Sequence, residues 1–328
     1  MKMKSEEEVA CRTLRELLSE VVEKNDAEAL LLSGGLDTSI LATLSNDERK
    51  GKKAFTVVLN ETRAPDLRYA KTVAQKFHYE HHLIRLTEKE ALGALPAVIK
   101  VLRSFDPALP NDLVIYAALQ EAKELGIKSV MTGDGADELF AGYSYMHELS
   151  HEALTKYIKA ISQTMWFSSN KLGSFLGMEI KQPYCDKAIV DFTLELDPGL
   201  MVKEIDGRRY GKWILRKAFE EELGAVAWRK KEPIEVGSGT TKLRDVIRRN
   251  ISDTGFEEKK REYGMKFINK EHLFFYEIYK EVVGEIPRLE GKPENVCPLC
   301  KAELPPERSH CNISGFSYPL GRYLGEKH

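Results

Sequence analysis

Residues 30–44 read LLLSGGLDTSILATL, and the fold turns on how this run divides. The segment 28–32, EALLL, is apolar and too short for a helix, which suits a buried strand. Ser33, Gly34, Gly35, Thr38 and Ser39 then break the apolar pattern, and from Thr38 to Leu44 it resumes as a helix. Glycines let a chain turn tightly with its N–H groups facing outward. A helix N-terminus adds partial positive charge. The loop is therefore suited to an anion, phosphate above all, with hydroxyls from Ser33, Thr38 and Ser39 as further donors. Asp37 would repel a bare phosphate, but fits if Mg²⁺ lies between them and takes oxygens from both. The alternative is a glycine-rich turn with a capping Asp. Neither G-x-x-x-x-G-K-[ST] nor G-x-G-x-x-G is present, so neither a kinase-type P-loop nor a dinucleotide fingerprint describes it.

Working outward, the pattern predicts alternating helices and strands. Residues 5–24 form an amphipathic helix, with Ser5 and Glu8 in a capping-box arrangement. Strands follow at 53–59 (KAFTVVL), 80–86 (EHHLIRL) and 127–133 (IKSVMTG). Helices are expected after Pro65, from about Thr87, and over 111–125, the last ending before Gly126. This alternation implies βαβ units: an α/β fold with a parallel twisted sheet and helices on both faces. Ligands bind such sheets at the carboxyl ends of their strands. A second loop, MTGDGADELFAGY (131–143), should open on the same edge as 33–38 and brings Asp134, Asp137 and Glu138. Asp137 can share a metal with Asp37; the alternative is that these acids only cap a helix N-terminus. The division expected is a nucleotide-binding core at 1–145, a mainly helical region at 146–290 completing the site, and a cysteine-containing tail at 291–328. No internal repeat is visible.

The chain has 328 residues, net charge −2, 42% hydrophobic and 30% charged residues, and five cysteines. There is no global basic field for nucleic acid, although RRN and KKR form local patches. No stretch is long and apolar enough for a membrane span or a secretory signal. The odd cysteine count suits a reduced, cytoplasmic protein. In the tail, Cys297-x2-Cys300 has zinc-knuckle spacing, and His310 and Cys311 would complete four ligands. Unpaired thiols or a redox pair are the other readings.

LLSGGLDTS resembles the pyrophosphate loop of the PP-loop (HUP-like) ATP pyrophosphatases. TGDGADELFAGY resembles the second signature of their asparagine synthetase and β-lactam synthetase branch. The segments FDPALPNDLVIYAALQEAKELGIKSV, SSNKLGSFLGMEIKQPYCDKAIVDF and KWILRKAFEEELGAVAWRKKEP extend the likeness over roughly residues 5–240. The resemblance implies ATP-dependent, Mg²⁺-assisted activation of a small-molecule carboxylate as an acyl-adenylate, then amide formation with ammonia or an amine. Ser33, Gly34, Gly35, Asp37, Thr38 and Ser39 would hold pyrophosphate. Leu31, Val57 and Gly133 would contact adenosine, and Asp37 and Asp137 would bind Mg²⁺. Lys231 and Lys171 match basic positions of the family's site, and Asp134 matches an acid proposed as the base for the incoming amine. Apart from the resemblance, Lys231 reads as part of a solvated RKK loop.

Three features depart from that pattern. The synthetase-like helix begins at once after MKMKSEEEV, so no glutaminase domain is expected here; nitrogen would come from solution or from a separate amidotransferase subunit. Cys185 stands where Leu is usual, and Lys181 and Gln182 occupy the region of a family Arg. The third departure is the cysteine tail. A PP-loop enzyme of the tRNA-thiolating type and a non-catalytic nucleotide-binding regulator are the competing functions, and a homodimer is compatible with all three.

Overall fold

The computed structural model describes residues 5–45, 51–287, 295–305, 308 and 310–318. The first four residues, and the end of the segment 291–328, lie outside these. The first half runs α1 (Glu6–Lys24), β1 (Ala29–Leu31), α2 (Leu36–Leu44), β2 (Lys53–Leu59), α3 (Asp66–Lys76), β3 (Glu80–Leu86), α4 (Glu88–Leu102), α5 (Leu109–Glu124), β4 (Ser129–Met131) and α6 (Ala136–Leu139). The second half adds α7 (His151–Thr164), α8 (Ser168–Leu176), β5 (Glu179–Lys181), α9 (Lys187–Glu195), β6 (Lys203–Ile205), β7 (Arg208–Tyr210), α10 (Trp213–Ala218) and α11 (Glu220–Leu223). Four helices close the described chain: α12 (Ile234–Gly237), α13 (Lys242–Asn250), α14 (Asp253–Tyr263) and α15 (Lys270–Val282).

Five parallel strands form one sheet in the order β3-β2-β1-β4-β5. The pleat divides side chains between two cores. Leu30, Ala54 and Met131 face a layer built by α1, α2, α3, α6, α7, α9 and α10. Ala29, Phe55 and Val130 face the opposite layer, built by α4, α5, α8, α13, α15 and the cysteine segment. Burial on both faces explains why the central strands read as continuous apolar runs rather than alternating ones.

The local signals are realised closely. Ser5 and Glu8 form a complete capping box, and so do Thr87 and Glu90 at α4. Helix α2 starts at Leu36, two residues before the expected Thr38, because Gly35 serves as its N-cap. Helix α5 likewise begins two residues early, with Pro110 in its first turn, where a missing N–H costs nothing.

The fifth strand was not expected, since 144–225 reads as mostly helical. Glu179–Lys181 becomes a strand because β4 offers a free edge, pairing Val130 with Ile180 and Thr132 N–H with the Lys181 carbonyl at 2.9 Å. Three residues with charged ends carry no period of their own, so only the partner strand decides them. The β6–β7 hairpin is a second addition, turning through Asp206 and Gly207, both at positive φ.

Helix α1 anchors the first layer, and Leu14 on it is fully buried while Val9 is 41% exposed. Leu14→Ala should therefore cost about 2–5 kcal/mol, and Val9→Ala less than about 0.5 kcal/mol beyond its propensity change, as read by urea denaturation.

Candidate nucleotide and metal site

The strand order reverses direction between β1 and β4: β2 and β3 lie on one side, β5 on the other. A crevice opens outside the carboxyl ends of strands at such a switch point. The two acid–glycine loops leave β1 and β4 there, side by side.

In the first loop Gly34 has φ +73, and a Cβ on it would overlap the Ala70 backbone of α3, so only glycine permits the turn. Gly35 donates its N–H to Ser33 Oγ at 3.1 Å, and Ser33 Oγ lies 3.1 Å from Thr38 Oγ1. Gly35 supplies no side-chain cap to α2, so the first N–H groups of that helix stay available to an anion. Ser39 Oγ is buried with no hydrogen-bond partner among the described residues. Leu31 ends β1, Val57 lies on the adjacent β2, and Gly133 follows β4, so the three expected adenosine contacts line one edge of the sheet.

Asp37 and Asp137 do come together, and they meet at a residue the motif reading did not single out. Lys212 Nζ lies 2.7 and 2.6 Å from the two Asp37 oxygens and 2.6 Å from Asp137 Oδ1. Lys212 is itself buried, and its backbone N–H donates to the Phe140 carbonyl at 2.9 Å, which docks the start of α10 on the end of α6. Gly142 permits this approach, because a Cβ there would overlap both Asp137 Oδ1 and the Lys212 side chain. The only advance signal for Lys212 was its place at the head of KWILRKAF.

Lys231 also pairs with Asp137, and its ammonium lies 4.1 Å from the centre of the Tyr143 ring. Arg229 brings this distal loop to the first one. It donates to the Gly34 carbonyl at 2.7 Å, pairs with Asp66, and stacks 4.2 Å over Tyr69. Tyr184 donates its hydroxyl to the Asp37 carbonyl at 3.0 Å.

Burial pushes the Asp137 carboxyl up, but the Lys212 and Lys231 ammonium groups outweigh it and hold it at about 2. Asp37 is raised, because burial exceeds the pull of Lys212 and the Asp137 charge adds to it. Lys212 is raised, since its two carboxylates outweigh burial. Lys231 is lowered, by burial and then by repulsion from Lys212.

Asp134 belongs to a neighbouring network. Its Oδ2 accepts from Thr132 Oγ1 at 2.7 Å, Ser169 Oγ at 2.6 Å and Gln182 Nε2 at 2.9 Å. Gln182 is thus committed to Asp134 rather than free for a substrate carboxylate. Cys185 donates its thiol to the Asp134 carbonyl at 3.5 Å, and burial pushes that thiol up to about 12. Asp112 stands nearby, its carboxyl pushed up to about 7, first by burial. Lys171 does not join the acids: it is exposed on α8, with its ammonium 5.1 Å from the centre of the Trp166 ring.

The three tail thiols also converge. Cys297, Cys300 and Cys311 are buried, with their sulfurs all within 4.8 Å of one another. His310 is not among them: Nδ1 lies 2.8 Å from Ser317 Oγ, and Nε2 3.2 Å from Asp106. The four-ligand set expected from spacing is therefore corrected to three cysteines. Adjacent residues on an extended segment point to opposite faces, so His310 and Cys311 diverge.

A glycine loop and helix N-terminus at a sheet switch point, with paired acids and lysines before it, define an α/β nucleotide-binding protein. Residues 13–168 and 147–285 match the Asparagine synthase family model. The chain belongs to the asparagine synthase family, whose members are ATP-dependent ligases. It is 30% identical over 292 residues to a probable glutamine-hydrolysing asparagine synthetase of Dictyostelium discoideum, covering 78% of this chain and 52% of the relative. It is 33% identical over 232 residues to the glutamine-hydrolysing asparagine synthetase of Asparagus officinalis, covering 64% of this chain and 39% of the relative. The chain thus spans about half or less of the length of these relatives. Among solved structures it is similar to the U34-tRNA thiolase NcsA of Methanococcus maripaludis with its [4Fe-4S] cluster. That match has TM-score 0.36 and 13% identity, and covers 89% of this chain and 86% of the other. No helix of the described residues is long and apolar enough to cross a membrane.

Removing Lys212 tests the electrostatic account. The Asp137 carboxyl, held below its unfolded value of 3.8, contributes stability above pH 4 that is lost as pH falls toward 2. Without Lys212, burial and mutual repulsion should raise both carboxyls, and their contribution is then lost as pH rises through 4 and above. The stability gap between wild type and Lys212→Met should therefore widen from pH 4 to pH 7 in denaturant titrations. A gap independent of pH would contradict the assignment.

Proposed function

We propose that the chain carries the synthetase half-reaction of an asparagine synthetase-like enzyme. A substrate carboxylate oxygen attacks the α-phosphorus of ATP, forming an acyl-adenylate as pyrophosphate leaves. Ammonia or an amine then attacks the acyl carbon, the amide forms, AMP departs, and the nitrogen gives up a proton. The observation that supports this reading best is the meeting of Asp37 and Asp137 at buried Lys212, directly before the 33–39 loop.

The donor set fits a divalent cation. Two carboxylates from facing loops converge on one point, as Mg²⁺ shared with phosphate requires, and the unpartnered Ser39 hydroxyl lies in the same loop. Bound Mg²⁺ supplies neutralisation of charge on the phosphates. The chain's own groups do the rest. The α2 N–H groups and the Ser33 and Thr38 hydroxyls hold pyrophosphate, and Leu31, Val57 and Gly133 flank the adenosine. Lys231 and Lys212 turn from the carboxylates toward the phosphates as negative charge builds on the leaving group, which is the largest electrostatic demand of the reaction.

Asp134, held in place by three hydrogen-bond donors, suits a group that orients the incoming nitrogen. The acceptor is a small-molecule carboxylate, and we place ammonia, from solution or from an amidotransferase, ahead of other amines. We also assign a structural zinc ion to the three buried tail thiols.

Purified protein with Mg²⁺-ATP, ammonium and a panel of small carboxylic acids, aspartate first, should release AMP and pyrophosphate in equal amounts. ADP with phosphate as products would refute adenylation. Lys231→Ala should lower kcat about 10²–10³-fold, as removal of one charge-stabilising donor does. Asp37→Asn should abolish turnover while circular dichroism stays unchanged.

A further inference from the structure

The tail contains a repeated turn that the sequence hides. At the first knuckle, Lys301 donates its N–H to the Cys297 carbonyl at 3.0 Å, and Cys297 donates to the Ala302 carbonyl at 2.8 Å. At the second, Gly315 donates to the Cys311 carbonyl at 2.9 Å, and Cys311 donates to the Phe316 carbonyl at 2.8 Å. Lys301 and Gly315 share a left-handed backbone, with φ +61 and +70. The flanking antiparallel bridges, Val296 with Glu303 and His310 with Ser317, correspond as well. Every partner in one knuckle maps onto the other with the same offset. His310 thus takes the place of Val296 outside the ligand set, and Ser314 takes the place of Cys300.

Ser314 is fully buried, and its Oγ lies 3.2 Å from Cys297 Sγ. Cys300 Sγ and Cys311 Sγ are 3.7 Å apart. Zinc–sulfur bonds of about 2.3 Å in a tetrahedron put sulfurs about 3.8 Å apart, and a sulfur and an oxygen ligand about 3.5 Å apart. The cysteines of a four-iron cluster each bind a different iron and stand farther from one another, so the compact spacing suits one ion.

We propose that Cys297, Cys300, Cys311 and the Ser314 hydroxyl form a closed tetrahedral site for a single structural zinc ion, built from two equivalent knuckles. This deepens the zinc assignment above and does not depend on the ligase reading. On binding, the three thiols each lose a proton to solvent as their zinc–sulfur bonds form. The site's task follows from where the second knuckle docks. The Ile313 carbonyl accepts from Phe105 N–H at 2.7 Å and Ser104 Oγ at 3.3 Å. Gly315 lies so close against Asp106 that a Cβ would overlap its carboxylate. Asp106 accepts the Ala108 N–H at 2.7 Å, immediately before α5. Farther along, Asn111 Oδ1 accepts the Glu235 N–H at 2.9 Å, in the segment that follows Lys231. The zinc staple thus fixes the turn from which α5 reaches toward the nucleotide site.

Metal analysis of the full chain, purified without chelator, should find one zinc per chain, with its removal lowering Tm. Iron with acid-labile sulfide, or a metal-free Cys300–Cys311 disulfide, would overturn the zinc assignment. The fourth corner is tested separately, with cobalt(II) in place of zinc. Ser314→Cys should raise the thiolate-to-cobalt charge-transfer intensity by about a third, for four thiolates in place of three, and slow metal loss to a chelator. Ser314→Ala should shift the cobalt d–d bands and speed that loss. Unchanged spectra in both variants would remove Ser314 from the site while leaving the metal itself established.

Discussion

The contact on which the site depends is the buried Lys212 ammonium between Asp37 and Asp137. Two carboxylates cannot both stay charged in a buried crevice without an opposing charge, and a buried ion pair that loses one partner is strongly destabilising. Lys212 supplies that charge and also ties three parts of the chain together. Asp37 comes from the first turn of α2, after β1, Asp137 from the first turn of α6, after β4, and Lys212 from the head of α10. The constraint is as much geometric as electrostatic, because only a glycine at 142 leaves room for the Asp137 carboxylate and the Lys212 stem.

The same arrangement makes the resting site responsive to a polyanion. Asp137 is held by two lysines, and burial, then repulsion from Lys212, lowers the affinity of Lys231 for a proton. In the reaction proposed, phosphates entering with a divalent cation would offer the lysines new anionic partners and the carboxylates a new cation. The site can exchange these partners without leaving a buried charge unpaired. Arg229 keeps the exchange local by bonding the distal loop to the Gly34 carbonyl and to Asp66 whatever Lys231 does.

The cysteine segment plays a comparable part at the other face of the sheet. It packs into the core shared by α4, α5 and α15, and it grips the turn at residues 104–108. Its three thiols lie together in space although the two segments, VCPLCKAE and HCNISGFS, share only one cysteine position. Backbone hydrogen bonding repeats where the side chains have diverged, which is why no repeat is visible in the letters.

Much of the fold was legible in sequence because its signals are local. Strands 53–59 and 80–86, the Ser5–Glu8 capping box and the glycine turn at Gly34 follow from patterns spanning a few residues. Asp37 and Asp137 stood out as candidates for the same reason, since each follows its own glycine turn at the start of a helix. Other features had no local trace. Glu179–Lys181 is a strand only because β4 has an open edge, and Lys212 and Arg229 are ordinary basic residues until long-range packing buries the first and pairs the second with Asp66. His310 was expected as a ligand on spacing alone, whereas the knuckle backbone turns it outward and presents Ser314. Sequence alone determined the first four strands, the turns after β1 and β4 and the acids that flank them, because those choices are made by neighbours along the chain. Tertiary structure decided which charges neutralise them and which side chain faces the thiols, because burial and pairing join residues beyond the reach of local pattern, 17 positions apart for Cys297 and Ser314 and 175 for Asp37 and Lys212.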